Sequence, residues 1–154
     1  MIEWGRENGL STLSTRLFLH QPIERVFEFF ADAGNLEMIT PPWLRFSILT
    51  PRPIAMREGT RIDYRLRVHG LPVRWSSEIT RWDPPRGFVD EQRHGPYRLW
   101  IHLHEFVERD GGTEVRDFVR YAVPGGRLVD RLFVRGDLER IFAHRTRSLR
   151  RILG

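Results

Sequence analysis

The sequence predicts an α+β fold in which a curved antiparallel sheet of about seven strands wraps around one long C-terminal helix. Between residues 44 and 123, apolar side chains recur mainly with the period of two that is typical of strands. Residues 22–40 and 127–153 instead show helical spacing. A meander of strands with one apolar face has to bury that face, and only the last helix is long enough to cover it.

The length of 154 residues fits a single domain over residues 1–154, with residues 1–9 expected to be a loose N-terminal tail. The chain has no cysteine, which excludes disulfides, thiolate metal ligands and cysteine nucleophiles. No apolar run approaches the ~18–20 residues of a membrane span, and the first residues lack the apolar core of a signal peptide. We therefore expect a cytoplasmic protein.

The basic residues are distributed unevenly along the chain. All 25 of them are arginine, and the net charge is +5. Residues 1–125 are neutral overall, so the whole excess falls on the C-terminal segment that begins at Gly126. A basic helix can contact nucleic acid or an anionic membrane, but it is more often a solvated outer face. Because interleaved stacking aromatics and a nucleic-acid motif are missing, we expect no nucleic-acid partner and no stable membrane insertion.

The first strand is predicted at residues 11–20, which are rich in β-branched and apolar side chains. Pro22 then opens a helix, since proline is tolerated at the first helical position. Asn35 is expected to cap a second short helix over residues 36–40, which the following two prolines end. The apolar stripe of the first helix consists of Ile23, Val26, Phe27 and Phe30.

Residues 60–68 alternate between apolar and charged side chains, after a shorter strand predicted over residues 44–49. Gly70-Leu71 is the predicted two-residue turn into the next strand. This register puts the large apolar residues of both strands on one face. The predicted facing pairs are Val68 with Val73, Leu66 with Trp75, Tyr64 with Ser77 and Ile62 with Ile79.

Three further strands are predicted over residues 88–94, 98–107 and 114–123. The turn Gly111-Gly112 joins the last two strands, so that Asp110 pairs with Thr113. The facing pairs are then Phe106 with Asp117, His104 with Val119, His102 with Tyr121 and Trp100 with Val123.

The C-terminal helix is predicted over residues 127–153, with a length of roughly 40 Å. Gly136 lies inside this helix, where it costs about 1 kcal/mol relative to alanine, so a bend or a close contact is expected there. The apolar stripe of the helix consists of Leu128, Leu132, Leu138, Ile141, Phe142, Leu149 and Ile152.

One face of the last three strands combines aromatic and ionisable side chains, as the wall of a ligand pocket does. The opposite face is also half apolar. We place the side with His102 and His104 toward the helix because its partner strand contributes no arginine there. With neighbouring strands and the helix included, the candidate ligand-binding residues are Tyr64, Trp75, Asp90, Gln92, Trp100, His102, His104, Phe106, Asp117, Tyr121 and Phe142.

The candidate catalytic residues are His102, His104, Asp117 and Tyr121. Asp117 is suited to orient His104 as a general base while Tyr121 polarises a carbonyl, which would serve a cyclisation or a dehydration. Two histidines on one side of a strand also suit zinc, with Asp117 or Asp90 as third ligand. No further metal motif supports zinc, so we expect neither metal nor cofactor. The simplest interpretation is a hydrogen-bonded polar network in a wet cavity.

The order of elements over residues 11–153 resembles the helix-grip fold of the START-like (SRPBCC) superfamily, which includes polyketide cyclases/dehydrases and lipid-transfer proteins. Residues 88–126 are also similar to a pattern in one bacterial branch of that superfamily. The residues that carry this similarity are Asp90-Glu91-Gln92, Gly95-Pro96-Tyr97, Trp100, His102, His104, Phe106, Gly112-Thr113, Asp117, Tyr121 and Pro124. The resemblance implies a cavity between sheet and C-terminal helix that binds hydrophobic small molecules.

These observations predict a binding protein for a hydrophobic small molecule of polyketide, lipid or aromatic type. An alternative is a cyclase or dehydrase that acts on a polyketide-like substrate. A second alternative is an interaction module that uses the basic C-terminal helix. The sequence lacks GxSxG and phosphate-binding glycine motifs, so hydrolase and nucleotide-binding functions have no support.

Overall fold

The computed structural model describes residues 2–154, which form an eight-stranded antiparallel sheet and a long C-terminal helix. In space the strands follow the order β1-β2-β8-β7-β6-β5-β4-β3. Their bounds are β1 Ile2–Glu7, β2 Leu10–Leu19, β3 Ser47–Ile48, β4 Arg61–Val68, β5 Leu71–Asp83, β6 Gly87–His94, β7 Leu99–Arg109 and β8 Gly112–Ala122. This arrangement confirms the predicted α+β helix-grip architecture.

The helical elements lie in two parts of the chain. Between β2 and β3 are α1 Ile23–Ala31 and two 3₁₀ helices, Ala33–Ile39 and Pro42–Leu44. After β8 come α2 Gly126–Val129, a π-helical turn at Asp130–Val134, and α3 Arg135–Leu153. Within residues 2–154, no helix combines the length and the apolar character that are needed to cross a membrane.

Strand β1 corrects the expectation that residues 1–9 are a loose tail. Residues 2–7 pair with β2, with Trp4 opposite Leu13, and the sheet therefore has eight strands rather than about seven. Asn8 and Gly9 both take positive φ angles, of 50° and 79°, in the turn between the two strands. Asn-Gly is a strong hairpin signal, so the local sequence already favours this turn.

The region after α1 differs in detail from the prediction. Helix α1 buries the predicted stripe, but the next helix is of the 3₁₀ type and begins three residues earlier than expected. Asp32 caps it by accepting a hydrogen bond from the Gly34 amide at 2.9 Å. The predicted cap, Asn35, instead donates to the carbonyl of Phe29 at 2.9 Å, which ties this helix to α1. The strand predicted over residues 44–49 is reduced to β3.

Both predicted hairpin registers are wrong by two residues. The turns are His69-Gly70 and Asp110-Gly111, whose φ angles of 51°, 78°, 47° and 79° are those of a two-residue turn with both residues left-handed. Histidine and aspartate tolerate this conformation better than most residues, which lets the turns start one position earlier. The observed pairs include Leu66 with Val73, Tyr64 with Trp75, Trp100 with Tyr121, His102 with Val119 and His104 with Asp117. A shift by two keeps every side chain on its predicted face.

The C-terminal helix is not apolar along one continuous stripe. Leu138, Phe142 and Leu149 are buried as predicted, but Leu128 and Leu132 are 66% and 64% exposed. In this first part of the helix the buried residue is Asp130. Its carboxylate accepts hydrogen bonds from the hydroxyls of Tyr121 at 2.8 Å and Ser11 at 2.9 Å.

The irregularity expected at Gly136 lies just before it. The amide of Arg135 donates to the carbonyl of Asp130, which closes a π turn. A side chain at Gly136 would meet no atom within 4 Å, so the expected close contact is absent from residues 2–154. The turn, and not the glycine, therefore interrupts the regular α-helix.

Candidate functional site: a buried ionic cluster beside two cavities

A cavity of about 190 Å³ lies between the histidine-bearing face of the sheet and α3, and we call it the inner cavity. Aromatic side chains form much of its wall, including Tyr64, Trp75, Trp100 and Phe142. Its ionisable lining residues are Asp90, His102, His104 and Arg145. An apolar cavity with a few polar groups that converge is the usual form of a small-molecule site.

A second cavity, of about 510 Å³, adjoins the first and is called the outer cavity. The two share the lining residues Leu44, Leu66, Trp75, Tyr97 and Ile141. The outer cavity also reaches exposed residues, among them His69 and Arg140. The two cavities are therefore neighbours, and the outer one extends to the protein surface.

His102 and His104 are both buried, on the face of β7 that is turned toward α3. The period of two in a strand places both rings on the same side, and they stack with centroids 3.7 Å apart. Phe88 covers the other face of His104 at 4.1 Å, and Phe142 of α3 lies 5.9 Å from His102. The histidine side of the sheet thus faces the helix, as predicted.

Asp117 of β8 is the centre of the ionic cluster. Its Oδ1 accepts a hydrogen bond from Nε2 of His102 at 2.8 Å, and its Oδ2 accepts one from the Thr15 hydroxyl at 3.1 Å. Arg145 donates to both oxygens, from Nη2 at 3.1 Å and from Nε at 3.2 Å. Burial alone would raise the pKa of Asp117, but Arg145 and His102 outweigh it and hold this pKa far below its ordinary value.

Arg145 is the member of the ionic cluster that was not predicted from the sequence, because all the C-terminal arginines were expected on a solvated face. The intervals between Arg145 and the apolar residues of α3 could have predicted that it is buried. Arg145 follows Leu138 by seven positions and Phe142 by three, and it precedes Leu149 by four. These intervals place Arg145 on the buried face of α3.

Arg145 also determines which nitrogen of His104 carries the proton. Nη2 of Arg145 lies 3.3 Å from Nδ1 of His104, and a guanidinium only donates. Nδ1 is therefore the acceptor, and Nε2 holds the proton that is donated to Oδ2 of Asp90 at 2.5 Å. Burial and the neighbouring His102 lower the pKa of His104 to about 4, although Asp90 opposes the shift. His104 is therefore neutral at pH 7.

Asp90 is held ionised by the same contacts. Burial would raise its pKa, but the hydrogen bond from His104, followed by the contributions of His102 and Arg145, outweighs burial, so the pKa lies below its ordinary value. Both carboxylates of the cluster are therefore charged at neutral pH, and each has a donor.

His102 leaves one nitrogen free in the inner cavity. Its Nε2 is committed to Asp117, and no group in the described part of the chain hydrogen-bonds to its Nδ1. The nearest carboxylate oxygen to Nδ1, Oδ2 of Asp90, is 4.0 Å away. In the neutral ring this Nδ1 carries a lone pair, so it is suited to accept a hydrogen bond or a proton from a ligand.

The metal alternative does not agree with these hydrogen bonds. Ligand atoms of Asp90, His102 and His104 lie within 4.8 Å of one another, which is the right scale for a small ion. However, Nε2 of His104 must keep its proton while Arg145 donates to Nδ1, and a protonated nitrogen cannot bind a metal. Asp117, the other third ligand considered, is already paired with Arg145.

The structure brings most of the predicted site residues together around the inner cavity. Gln92, Phe106 and Tyr121 are the exceptions. The residues that line it are Tyr64, Trp75, Asp90, Trp100, His102, His104 and Phe142, with Asp117 directly behind the histidines.

The side chains of Gln92 and Phe106 stabilise the fold and do not line the inner cavity. The side-chain amide of Gln92 donates to the Tyr97 carbonyl at 2.7 Å and accepts from the Tyr97 amide at 3.1 Å, so it closes the β6–β7 turn. Phe106 packs in the core, with ring centroids 5.8 Å from Phe27 and 5.1 Å from Phe30. Neither side chain lines the inner cavity within residues 2–154.

Tyr121 cannot polarise a substrate carbonyl beside the histidines, which corrects its place among the catalytic candidates. Its hydroxyl donates to Oδ1 of Asp130 at 2.8 Å, on the side of β1 and the π turn. Burial, followed by this hydrogen bond, raises its pKa well above the ordinary value. The β7–β8 register pairs Tyr121 with Trp100, whereas His102 had been expected opposite it.

The sheet, the long helix and the cavity between them define a helix-grip protein with an internal site. Residues 19–150 match the family described as polyketide cyclase/dehydrase and lipid transport. The chain belongs to this family, which supports a hydrophobic ligand-binding fold. A comparison with curated protein sequences gives no match.

Solved structures share the fold at low sequence identity. Protein Ms6760 from Mycobacterium smegmatis has a TM-score of 0.72 and 20% identity, over 99% of this chain and 97% of that one. Ara h 8.0201 has a TM-score of 0.68 and 15% identity, over 92% and 96%. The major latex-like protein 151 from Panax ginseng has a TM-score of 0.68 and 11% identity, over 94% and 97%. These similarities are evidence for the fold.

Proposed function

We propose that the protein binds a hydrophobic small molecule of polyketide, lipid or aromatic type in the inner and outer cavities. The observation that carries this proposal is the apolar, aromatic cavity with one buried ionic cluster in its wall. The outer cavity falls within the ~300–1,000 Å³ range of small-molecule sites.

The walls indicate what the ligand must contain. Trp75 makes edge contacts with Tyr97 and Trp100, which are tilted against each other, with centroids 4.8–5.5 Å apart, and the three rings offer aromatic surface to a flat or apolar ligand body. Nδ1 of His102 is open to the inner cavity, and a ligand hydroxyl is its matching partner, because a hydroxyl can donate to a neutral ring or accept from a protonated one. A hydroxylated apolar molecule would satisfy both parts of the site.

Binding is tested by narrowing the junction of the two cavities. Ile141 lines both, so Ile141→Trp should weaken binding of the fluorescent probe anilinonaphthalene sulfonate by about tenfold or more, as overfilling typically costs ~1–3 kcal/mol. The control is Ala143→Trp, which adds the same ring at an exposed position of α3. Equal probe affinity in both variants would contradict the proposed site, and native mass spectrometry would identify a co-purified ligand.

A cyclase or dehydrase is the second candidate, and the His102–Asp117 pair favours it. Asp117 orients the ring while Nδ1 faces the cavity, as a general base requires. Nδ1 would take a proton from the carbon beside a carbonyl. The carbanion would attack a second carbonyl of the substrate, and the imidazolium would return the proton to the alkoxide.

Turnover distinguishes the two functions. With a synthetic poly-β-keto thioester, His102→Gln should lower kcat by about a hundredfold or more if the residue is a base, and leave probe binding largely intact. Ser77→Ala changes another polar residue of the same wall and serves as the control. If the unmodified protein does not accelerate cyclisation above the uncatalysed rate, the result would support a binding function alone.

A further inference from the structure

We propose that the segment from Gly126 to Arg135, here called the docking segment, attaches the protein to the surface of an anionic lipid bilayer. It contains three of the most exposed large apolar side chains in the described structure. Leu128 is 66% exposed, Leu132 64% and Phe133 67%. Clustered exposure of this kind marks an interaction surface, whereas isolated exposed apolar residues do not.

Positive charge runs beside these apolar side chains. Arg127, Arg131 and Arg135 follow one another at intervals of four, and Leu128 and Leu132 repeat the interval one position on. Along a helix this spacing makes two adjacent stripes, one cationic and one apolar. Such a pattern is typical of helices that lie in the plane of a membrane interface.

The arginines are available to a partner. In the part of the chain that the structure describes, none of these three forms an ion pair with a carboxylate. Arg135 lies over the ring of Trp4 at 4.5 Å, which holds it in place without neutralising it. The docking segment therefore presents uncompensated positive charge, to which an anionic surface is complementary.

A cleft beside the docking segment suits a lipid headgroup. It has a volume of about 330 Å³ and is lined by Arg6, Arg127, Arg131 and Arg135. Asp130 lies in the same cleft, but both of its oxygens already accept hydrogen bonds from Tyr121 and Ser11. Four guanidinium groups against one occupied carboxylate favour a phosphate over a cation.

The docking segment is also continuous with the ligand site. Val129 and Val134, which belong to it, line the outer cavity. A bilayer held against Leu132 and Phe133 would therefore lie next to that cavity. This geometry suits exchange of an apolar molecule with the membrane, although docking itself does not depend on the identity of the ligand.

Vesicle co-sedimentation tests the proposal. The unmodified protein should bind vesicles that contain about one third phosphatidylglycerol and should not bind pure phosphatidylcholine vesicles. Arg127→Gln with Arg131→Gln should lower the partition coefficient about thirtyfold, at ~1 kcal/mol for each arginine. The matched control, Arg147→Gln with Arg150→Gln, removes the same charge from exposed positions farther along α3 and should change binding little.

A second variant and its control test the contribution of the apolar side chains to vesicle binding. Phe133→Ser should weaken vesicle binding on the order of tenfold. Leu71→Ser removes an equally exposed side chain, 69% accessible, from the first position of β5 and should have no effect. Equal losses in each variant and its control, or equal binding to both kinds of vesicle, would overturn the proposal. So would duplex DNA binding that exceeds vesicle binding, or self-association that Phe133→Ser abolishes without any vesicle binding.

Discussion

Arg145 and Asp117 form a bidentate ion pair that joins α3 to β8 inside the protein, with exposures of only 7% and 5%. The same carboxylate accepts hydrogen bonds from Thr15 of β2 and His102 of β7. Three strands and the C-terminal helix therefore meet at one side chain. Because each charge is buried, each depends on the other for its compensation.

Removal of Arg145 is expected to destabilise the fold strongly. Arg145→Met leaves the Asp117 charge buried without its cation, which typically costs ~3–5 kcal/mol. Arg147→Met changes an exposed arginine two positions away and should alter the free energy of unfolding by less than about 0.5 kcal/mol. Urea denaturation measures both. In the double variant Arg145→Met/Asp117→Asn, part of the loss should be recovered, and additive losses would contradict the pairing.

Stability should fall as the pH drops below 6.5, because of His104. The unfolded chain takes up a proton near the ordinary pKa of 6.5, whereas the folded protein does so only near 4. Between these values the unfolded state binds more protons, so the free energy of unfolding decreases with falling pH, by on the order of 3 kcal/mol in total. The lowered pKa values of Asp90 and Asp117 act at still lower pH.

His104→Gln isolates this effect. Glutamine can still accept from Arg145 and donate to Asp90, but it does not titrate. Urea midpoints measured at pH 7 and pH 5 should therefore differ less in this variant than in the unmodified protein. His94→Gln, on an exposed side chain, is the control. An unchanged pH dependence in His104→Gln would show that another group causes the acid sensitivity.

Tyr121→Phe should lower stability without affecting the ligand site. The hydroxyl of Tyr121 is bonded to the buried carboxylate of Asp130, and a hydrogen bond to a charged group is worth about 1.5–3 kcal/mol. Tyr97→Phe removes a hydroxyl that makes no hydrogen bond within residues 2–154, and should cost less. A loss of probe binding in Tyr121→Phe at unchanged Tm would instead support a role in the ligand site.

Zinc should not bind tightly to the histidine pair. Arg145 requires His104 to keep its Nε2 proton, so added Zn²⁺ should leave the Tm of the unmodified protein unchanged at pH 7. Calorimetric titration with Zn²⁺ is the direct measurement. Stoichiometric zinc binding that is lost in His104→Gln would contradict the proton assignment and restore the metal alternative.

Local periodicity was sufficient to predict which side chains share a face. Alternation along β7 placed His102 and His104 together, and Asp117 followed on β8 even though the predicted register was wrong by two residues. Face assignments survive because an even shift preserves the period of two. The apolar stripe of α1 was also predictable, because the helical period depends only on the spacing of residues along the chain.

Which of these side chains meet depends on how the helix packs against the sheet. Asp117 and Arg145 are 28 residues apart, and local periodicity contains no information on how a helix is rotated against a distant sheet. Tyr121 was assigned to the correct face, yet its hydroxyl reaches Asp130 in a segment predicted to turn leucines inward. A strand pattern specifies the side of the sheet, whereas the partner of a buried polar group depends on which donors packing brings within about 3 Å.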